Sequence, residues 1–347
     1  MMNQKKYMHK LTAGLIAAAL LTAGLTGCGG ETQNTDTPEN ASESQNGDIT
    51  VNIAYFDSFV WGYYIQIAQE YGIWDEIFGE DDVKVNLTGF ATGPEINEAI
   101  TAGNIDIAIN EGDQPFLSAV ANDVDLTLLA TELRQEKTLI LVADADSDID
   151  SAADLKGKNI AVPIGTYVHK SLIGVLQDNN ISVDDVQLTN MSAAGDAVAA
   201  INTGDVDAYI GTIFSLYSNI QSGDIKQIAD LTGNGAYAYL IGTNDFVNQH
   251  PDVTQKLVEV IYKATEYTAE HLDEVAWIIA EGTGIDEAVI KELYPLLDTN
   301  LGFTDSDLDA LLSTQDFLLE NDIIDEKIND LEENHINTTF IETIKGE

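Results

Sequence analysis

From residue 51 onward, short apolar runs alternate with stretches whose apolar residues recur at three- and four-residue spacing. That is the pattern of strands alternating with amphipathic helices. VNIAYF (51–56) reads as a first strand and Ile65 to Tyr71 as part of the helix after it. VKVNLTGF (83–90) is the next strand, Pro94 opens a helix that ends at Gly103, and IDIAI (105–109) follows as a strand. LTLLATE (126–132) and KTLILVA (137–143) are further strands. A helix near Ala152, the strand IAVP (160–163) and a helix carrying Val168, Leu172, Val175 and Leu176 come next. VQLT (186–189), a helix over about 194–202 and VDAYI (206–210) continue the alternation, and AYAYLIG (236–242) reads as a strand leading back. Pro251 opens a long helix with Val253, Leu257, Ile261 and Ala264 on its apolar face, and the rest to about 345 is mostly helical.

Two segments repeat one another. AITAGNIDIAI (99–109) and AINTGDVDAYI (200–210) each hold a helix end, a glycine at the C-cap, then Asn or Asp, and a short strand with an aspartate in it. Gly103 and Gly204 fit the left-handed position that closes a helix. The echo predicts two lobes of similar build. Alternating strands and helices in both predict an α/β fold with two sheets. Two chain crossings, near 142 and near 240, would form the hinge, with a ligand cleft beyond the carboxyl ends of the strands. The equivalent placement of Asp106 and Asp207 points to a structural role rather than a catalytic pair.

The N-terminus does not belong to this pattern. Lys5, Lys6 and Lys10 precede an apolar run from Leu11 to Leu25, which is short for a membrane span. Leu25-Thr26-Gly27-Cys28 follows, and Cys28 is the one cysteine of the chain. The layout is that of an export signal, and the LTGC string resembles the bacterial lipobox. That resemblance implies cleavage after residue 27 and lipidation of Cys28, a two-chain anchor. Residues 29–48 are polar and contain no large apolar side chain, so they read as a tether.

The chain carries a formal net charge of −44. Nucleic acid is therefore excluded as a partner class on electrostatic grounds. The five histidines are dispersed, so no zinc spacing exists. There is no phosphate loop, no GxGxxG after a strand and no GxSxG elbow. No cofactor and no catalytic residue is expected.

The opening IAYFDS strand, GFATGPEINEAITAGNIDIAI, Gly112-Asp113-Gln114-Pro115, SAADLKGKNIAVPIGTYVHKSLIGVL and AINTGDVDAYIG occur in that order. From about 49 to 282 the chain resembles the substrate-binding proteins of ABC importers. The nearest group is the one for aliphatic sulfonates, taurine and nitrate, which also includes binders of thiamine-pyrimidine precursors. The resemblance implies a two-lobe periplasmic-binding-protein fold of type II-like plan. It implies capture of a small solute in the cleft by a monomer at the outer face of the cytoplasmic membrane, and delivery to a permease with its ATPase subunit. The expected organisation is signal 1–27, lipidated cysteine and tether 28–48, first lobe 49–142, second lobe 143–240, and a return to the first lobe with C-terminal helices over 241–347. A sensory or adhesive receptor, or an enzyme on the same scaffold, are the competing readings.

The resemblance also implies ligand contacts. The turn and helix start at Gly165, Thr166 and Tyr167 match the family's anion-facing positions, and a helix N-terminus suits an anion. Thr166 acting only as a helix cap is the plain alternative. His169 in the same turn is a further candidate. The loop Glu111, Gly112, Asp113, Gln114 matches the family's Gly-x-x-Pro loop but carries two acids, which would repel a sulfonate or nitrate unless they turn away. Asp57, Ser58, Trp61 and Tyr64 follow the first strand, and aromatic walls suit a planar or cationic group. Arg134, the chain's one arginine, is the candidate clamp for a strong anion. Acids, aromatics and few cations together favour an organic solute with a planar or amine-bearing part, with a simple sulfonate as the alternative.

Overall fold

The computed structural model describes residues 49–346 except Ser58, Glu80, Asp82, Gly165 and Gly233. The signal, Cys28 and the tether, and the candidates Ser58 and Gly165, lie outside the described residues.

The chain runs β1 (Ile49–Phe56), α1 (Tyr64–Glu70), α2 (Ile73–Phe78), β2 (Val83–Phe90), α3 (Gly93–Thr101), β3 (Ile107–Gly112), α4 (Asp113–Ala121) and β4 (Leu126–Gln135). It then crosses to β5 (Leu139–Asp144), β6 (Asn159–Val162), α5 (Tyr167–Asp178), β7 (Gln187–Asn190), α6 (Ala194–Thr203), β8 (Ala208–Thr212), α7 (Ile213–Ser222) and β9 (Ile225–Asp230). It returns through β10 (Ala236–Thr243) to α8 (Asn244–Gln249), α9 (Pro251–Glu270), α10 (Leu272–Thr283), α11 (Glu287–Leu293), α12 (Asp305–Glu320), α13 (Leu331–Asn334) and α14 (Thr339–Lys345).

The two sheets share one plan. The first has the order β2-β1-β3-β10-β4 and the second β7-β6-β8-β5-β9. In each, the strand in fourth place is antiparallel to both neighbours and is the one that has just crossed from the other sheet. The repeated segments occupy equivalent places, α3 into β3 and α6 into β8. Gly103 and Gly204 have φ of 72° and 77°, where a side chain would be strained. Their aspartates do the same work: Asp106 Oδ2 accepts from the Asn52 backbone N–H at 2.8 Å, and Asp207 Oδ2 from that of Asn159 at 2.7 Å. Each ties the strand that follows it to that strand's parallel neighbour, β1 in the first sheet and β6 in the second.

The crossings fall at 136–138 and 231–235, before the expected 142 and 240. β5 belongs wholly to the second sheet, because its partners are β8 and β9. The apolar runs of β4 and β5 are alike in pattern, so only their pairing assigns them. The region near Ala152 is a short 3₁₀ turn with a Ser151–Asp154 capping box rather than an α-helix.

Helices cover both faces of each sheet. α1, α2, α9 and α10 pack one face of the first sheet around Ile53, Ile65, Val258 and Ile279. α3, α4 and α12 pack the other around Ile96, Phe116 and Leu318. Segments near 298–302 and 335–337 lie along the outer edge of β4, where the Thr131 N–H donates to the Gly302 carbonyl at 2.7 Å. They cover a strand edge that would otherwise expose unpaired backbone groups. α3 is sharply started: Thr92 and Glu95 form a capping box and Pro94 sits in the first turn. That fixed start faces the cleft. Among the described residues, no helix is long and apolar enough to cross a membrane.

Candidate functional site

β1 ends at Phe56, and the next residues turn sharply before α1 begins. Phe59 stacks on Trp61 with ring centroids 4.9 Å apart and planes 16° apart, while Phe56 meets Phe59 edge-on at 5.5 Å. Phe214, at the start of α7 in the second lobe, meets Trp61 edge-on at 6.2 Å. An aromatic wall therefore spans the two lobes. Tyr64 does not share a face with Trp61, as helical spacing through both would require. α1 starts at Tyr64, so Trp61 lies in the turn and faces the cleft, whereas Tyr64 is buried with its hydroxyl 3.3 Å from that of Tyr294. Asp57 is exposed and is not among the residues lining the cavity.

Asn110 sets the geometry of the loop after β3. Its φ is +61°, a left-handed conformation that asparagine tolerates better than most residues. Its side-chain amide donates to the Trp61 carbonyl at 2.9 Å, and its backbone N–H donates to the Glu132 carboxyl group. Burial pushes the Glu132 pKa up to about 8.

The left-handed residue also changes which way the following acids point. Glu111 is fully buried, with its carboxyl group against Gly93 and Pro115 and with no hydrogen-bond partner. Burial pushes its pKa well above the usual carboxylate range, toward the neutral acid. Asp113 turns to α12 and α5. The Thr314 hydroxyl donates to its Oδ2 at 2.6 Å, Lys170 Nζ stands 3.9 Å from the same oxygen, and Lys170 also donates to Thr314. This chain of contacts joins the second lobe, through α5, to the first. Neither acid lines the cavity. Gln114 does, and its Nε2 is buried without a partner.

Across the cleft, Thr166 precedes α5 in an extended conformation. Its hydroxyl donates back to the Pro163 carbonyl at 2.7 Å, so no side chain caps the first turn of the helix. The first-turn N–H groups of a helix lack intrahelical acceptors. Tyr167 lines the cavity beside Thr166. Burial, with the field of Asp113 and of Tyr209, pushes its phenol to about 12. It stays neutral and keeps a hydrogen to donate. His169 turns away: its ring meets Phe317 edge-on at 6.1 Å, and burial lowers its pKa.

Arg134 is committed elsewhere. Nε and Nη2 donate to the two oxygens of Asp307 at 2.7 and 2.6 Å, and Nη1 donates to the Asn300 carbonyl at 2.9 Å. It fastens β4 to α12 and does not line the cavity.

The cavity between these groups measures about 1030 Å3, at the upper end of the roughly 300–1,000 Å3 typical of small-molecule sites. Glu98, far along α3, is the one ionisable acid or base among its lining residues. Gln135, at the crossing, adds a buried Oε1 without a partner. Sequence reasoning missed Gln135, which nothing in its neighbourhood marks, and Phe214, which backs Trp61 without lining the cavity itself. The echo held a clue to Phe214, since the offset between 99 and 200 places it opposite Asp113 in the other lobe. Among the described residues, no group of His, Cys, Asp and Glu could hold a metal ion.

Comparison with known proteins fits this geometry. A protein of Bacillus subtilis (strain 168) named for aliphatic sulfonate binding is 26% identical over 272 residues, covering 76% of this chain and 79% of its own. The crystal structure of the periplasmic aliphatic sulphonate binding protein SsuA from Escherichia coli superposes with a TM-score of 0.75 at 20% identity, over 85% of this chain and 100% of its own. It shows that the two lobes form a periplasmic-binding-protein fold. The 2'-hydroxybiphenyl-2-sulfinate desulfinase of Rhodococcus erythropolis is 24% identical over 246 residues, covering 53% of this chain and 66% of its own. Residues 65–275 match the NMT1/THI5-like profile, and the chain belongs to the NMT1/THI5-like family.

Proposed function

We propose that the protein is the solute-binding component of an ABC importer and that its ligand is an organic anion of the sulfonate class. One observation carries the ligand reading. The lining includes neither Glu111 nor Asp113, and Gln114 Nε2, Tyr167 and the first turn of α5 offer donors there beside the acceptor oxygens of Asn110 and Gln135. The uncapped start of α5, the Tyr167 hydroxyl and the unpartnered Gln114 Nε2 can all donate to an anionic head. Neutral donors and a helix terminus suffice for such a group. The ground for preferring a cationic ligand, two acids facing the cleft, is therefore removed. Gln135 Oε1 can accept from an N–H or O–H on the same ligand, so an amino or hydroxyl substituent is accommodated. The aromatic wall covers the apolar part.

Gln114→Leu removes a donor to a charged group, a contact worth about 1.5–3 kcal/mol. The expected result is a loss of roughly tenfold to over a hundredfold in sulfonate affinity with little change in the melting temperature of the free protein. A thermal-shift screen of alkyl and aryl sulfonates, taurine, nitrate, thiamine precursors and small amines tests the class. Stabilisation by amines alone would refute the sulfonate reading.

The desulfinase relative supports a second reading, turnover of a sulfur-bearing aromatic on the same scaffold. Analysis of the bound compound after release separates the two readings, since a binding protein returns it unchanged.

Export and anchoring complete the proposal. The LTGC string at 25–28 and the periplasmic relatives support a mature protein that begins at lipidated Cys28 and acts as a monomer on the outer face of the membrane beside its permease and ATPase. Mass spectrometry of the mature N-terminus should show a diacylated Cys28; an intact Met1 or an unmodified Cys28 would contradict it.

A further inference from the structure

α5 of the second lobe lies against α12 of the first. The His169 ring meets Phe317 edge-on. Ile173, one turn further along α5, packs against the first-lobe cluster that holds Phe317 and Leu318. Lys170, between them, reaches Thr314. Thr314 passes that contact on. Its hydroxyl accepts from Lys170 Nζ and donates to Asp113 Oδ2 at 2.6 Å, with Lys170 Nζ 3.9 Å from the same oxygen. The other oxygen, Asp113 Oδ1, accepts from the Gln114 backbone N–H at 2.8 Å. The relay therefore ends on Gln114, which lines the cavity from the first lobe. It starts three residues after Tyr167, which lines the cavity from the second. Lys170, Thr314 and Asp113 do not line the cavity themselves, so the relay needs no ligand group to complete it.

The relay is also shielded. Side-chain exposure is 18% for Lys170 and 2% for Asp113, and Thr314 is fully buried. Tyr217 of α7 also crosses between the lobes, to Glu292 of α11, but that carboxylate is exposed. Contacts to exposed charges contribute little. Breaking a buried pair from one side leaves a charge without a counterion.

We propose that Lys170 and Asp113 are a positioning pair. They form a latch that holds the start of α5 against Gln114 and sets how fast the cleft releases its solute, without touching that solute. The effect on release rests on the solute-binding reading above; the hold on the lobes does not.

The test is fluorine NMR of the full-length chain carrying 5-fluorotryptophan at its three tryptophans, Trp61, Trp74 and Trp277. Trp61 meets Phe214 of the second lobe, so its resonance reports how the lobes sit. Trp74 and Trp277 make their contacts within the first lobe, so their resonances report that the fold is intact. Trp61→Phe assigns the signals. Without added ligand, Lys170→Met and Asp113→Asn are expected to shift or broaden the Trp61 resonance and to leave the other two in place. Lys170→Arg, which keeps the charge, is expected to keep the parent spectrum. In stopped-flow measurements Lys170→Met should release octanesulfonate about tenfold faster or more, with the association rate changed by less than about threefold. Truncating one partner of a buried charge pair acts chiefly on dissociation. Adding Asp113→Asn to Lys170→Met should do no further harm, since no unpaired carboxylate remains. A Trp61 resonance unmoved in both single variants overturns the latch. So does a Lys170→Arg spectrum altered as much as that of Lys170→Met. If octanesulfonate binds and leaves parent and variants at the same rate, the claim on release is overturned. If it does not bind the parent protein while the Trp61 resonance moves as expected, the sulfonate reading fails and the latch stands.

Discussion

Arg134→Met lowers the free energy of unfolding by about 3–5 kcal/mol, the cost of breaking a buried ion pair from one side. Asp307 is 0% exposed, and both its oxygens are engaged by the guanidinium. Its carboxylate also accepts from the backbone N–H and hydroxyl of Thr304 at the start of α12. Without Arg134 those contacts remain, but the charge has no counterion. The second replacement, Asp307→Leu in the Arg134→Met background, is expected to recover most of the loss, because an apolar pair of similar volume is often neutral or better. Urea unfolding of the two variants measures both effects. Ligand affinity of the folded Arg134→Met protein should change by less than about threefold. A large loss of affinity with little loss of stability would instead make Arg134 the ligand's clamp.

Stability falls as pH rises from about 5 to about 8, and Glu132→Gln removes part of that slope. The Glu132 pKa is 4.5 in a model peptide and about 8 when folded, raised by burial and only partly offset by the hydrogen bond from Asn110. A group with a raised folded value holds a proton that the unfolded chain gives up. Its stabilising contribution is therefore complete below about pH 4.5 and is lost as pH climbs through 8. The shift corresponds to an effect on the order of 4–5 kcal/mol. Glu111, raised by burial in the same direction, adds to the slope. So does repulsion within a chain of net charge −44. Unfolding measured at about 1 M salt, where the Debye length is about 3 Å, suppresses the repulsion and leaves the buried carboxyl groups. A profile of Glu132→Gln parallel to that of the parent protein would show that Glu132 is already ionised in the folded state.

The two-lobe plan was legible because the sequence repeats itself. The repeat at 99–109 and 200–210 located α3–β3 and α6–β8, and its aspartates proved to be matched anchors for Asn52 and Asn159. Strand and helix types were legible from periodicity, but the sheet that claims each strand was not, since that depends on partners far along the chain. The site was less legible, for specific reasons. Glu111 enters only through the family's loop, and it is fully buried without a hydrogen-bond partner after the left-handed Asn110. Trp61 and Tyr64 separate because the helix begins at Tyr64 rather than before it. Asp113 lies in the family's binding loop, yet its partners are Thr314 and Lys170, which reach it from another helix and another lobe. Arg134 finds Asp307 173 positions later. For Asp113 and Arg134 a contact far along the chain decides the direction of the side chain, and for Glu111 and Trp61 the local backbone does.

The central claim is that this cavity binds a sulfonate and releases it intact. Calorimetric titration of the full-length chain with octanesulfonate, followed by denaturation and mass spectrometry of what is recovered, tests it directly. The expected result is one site with a Kd of about a micromolar or lower, roughly −8 kcal/mol or better, and quantitative recovery of unchanged octanesulfonate. Absence of binding, or recovery of a desulfonated product with free sulfite, would contradict it.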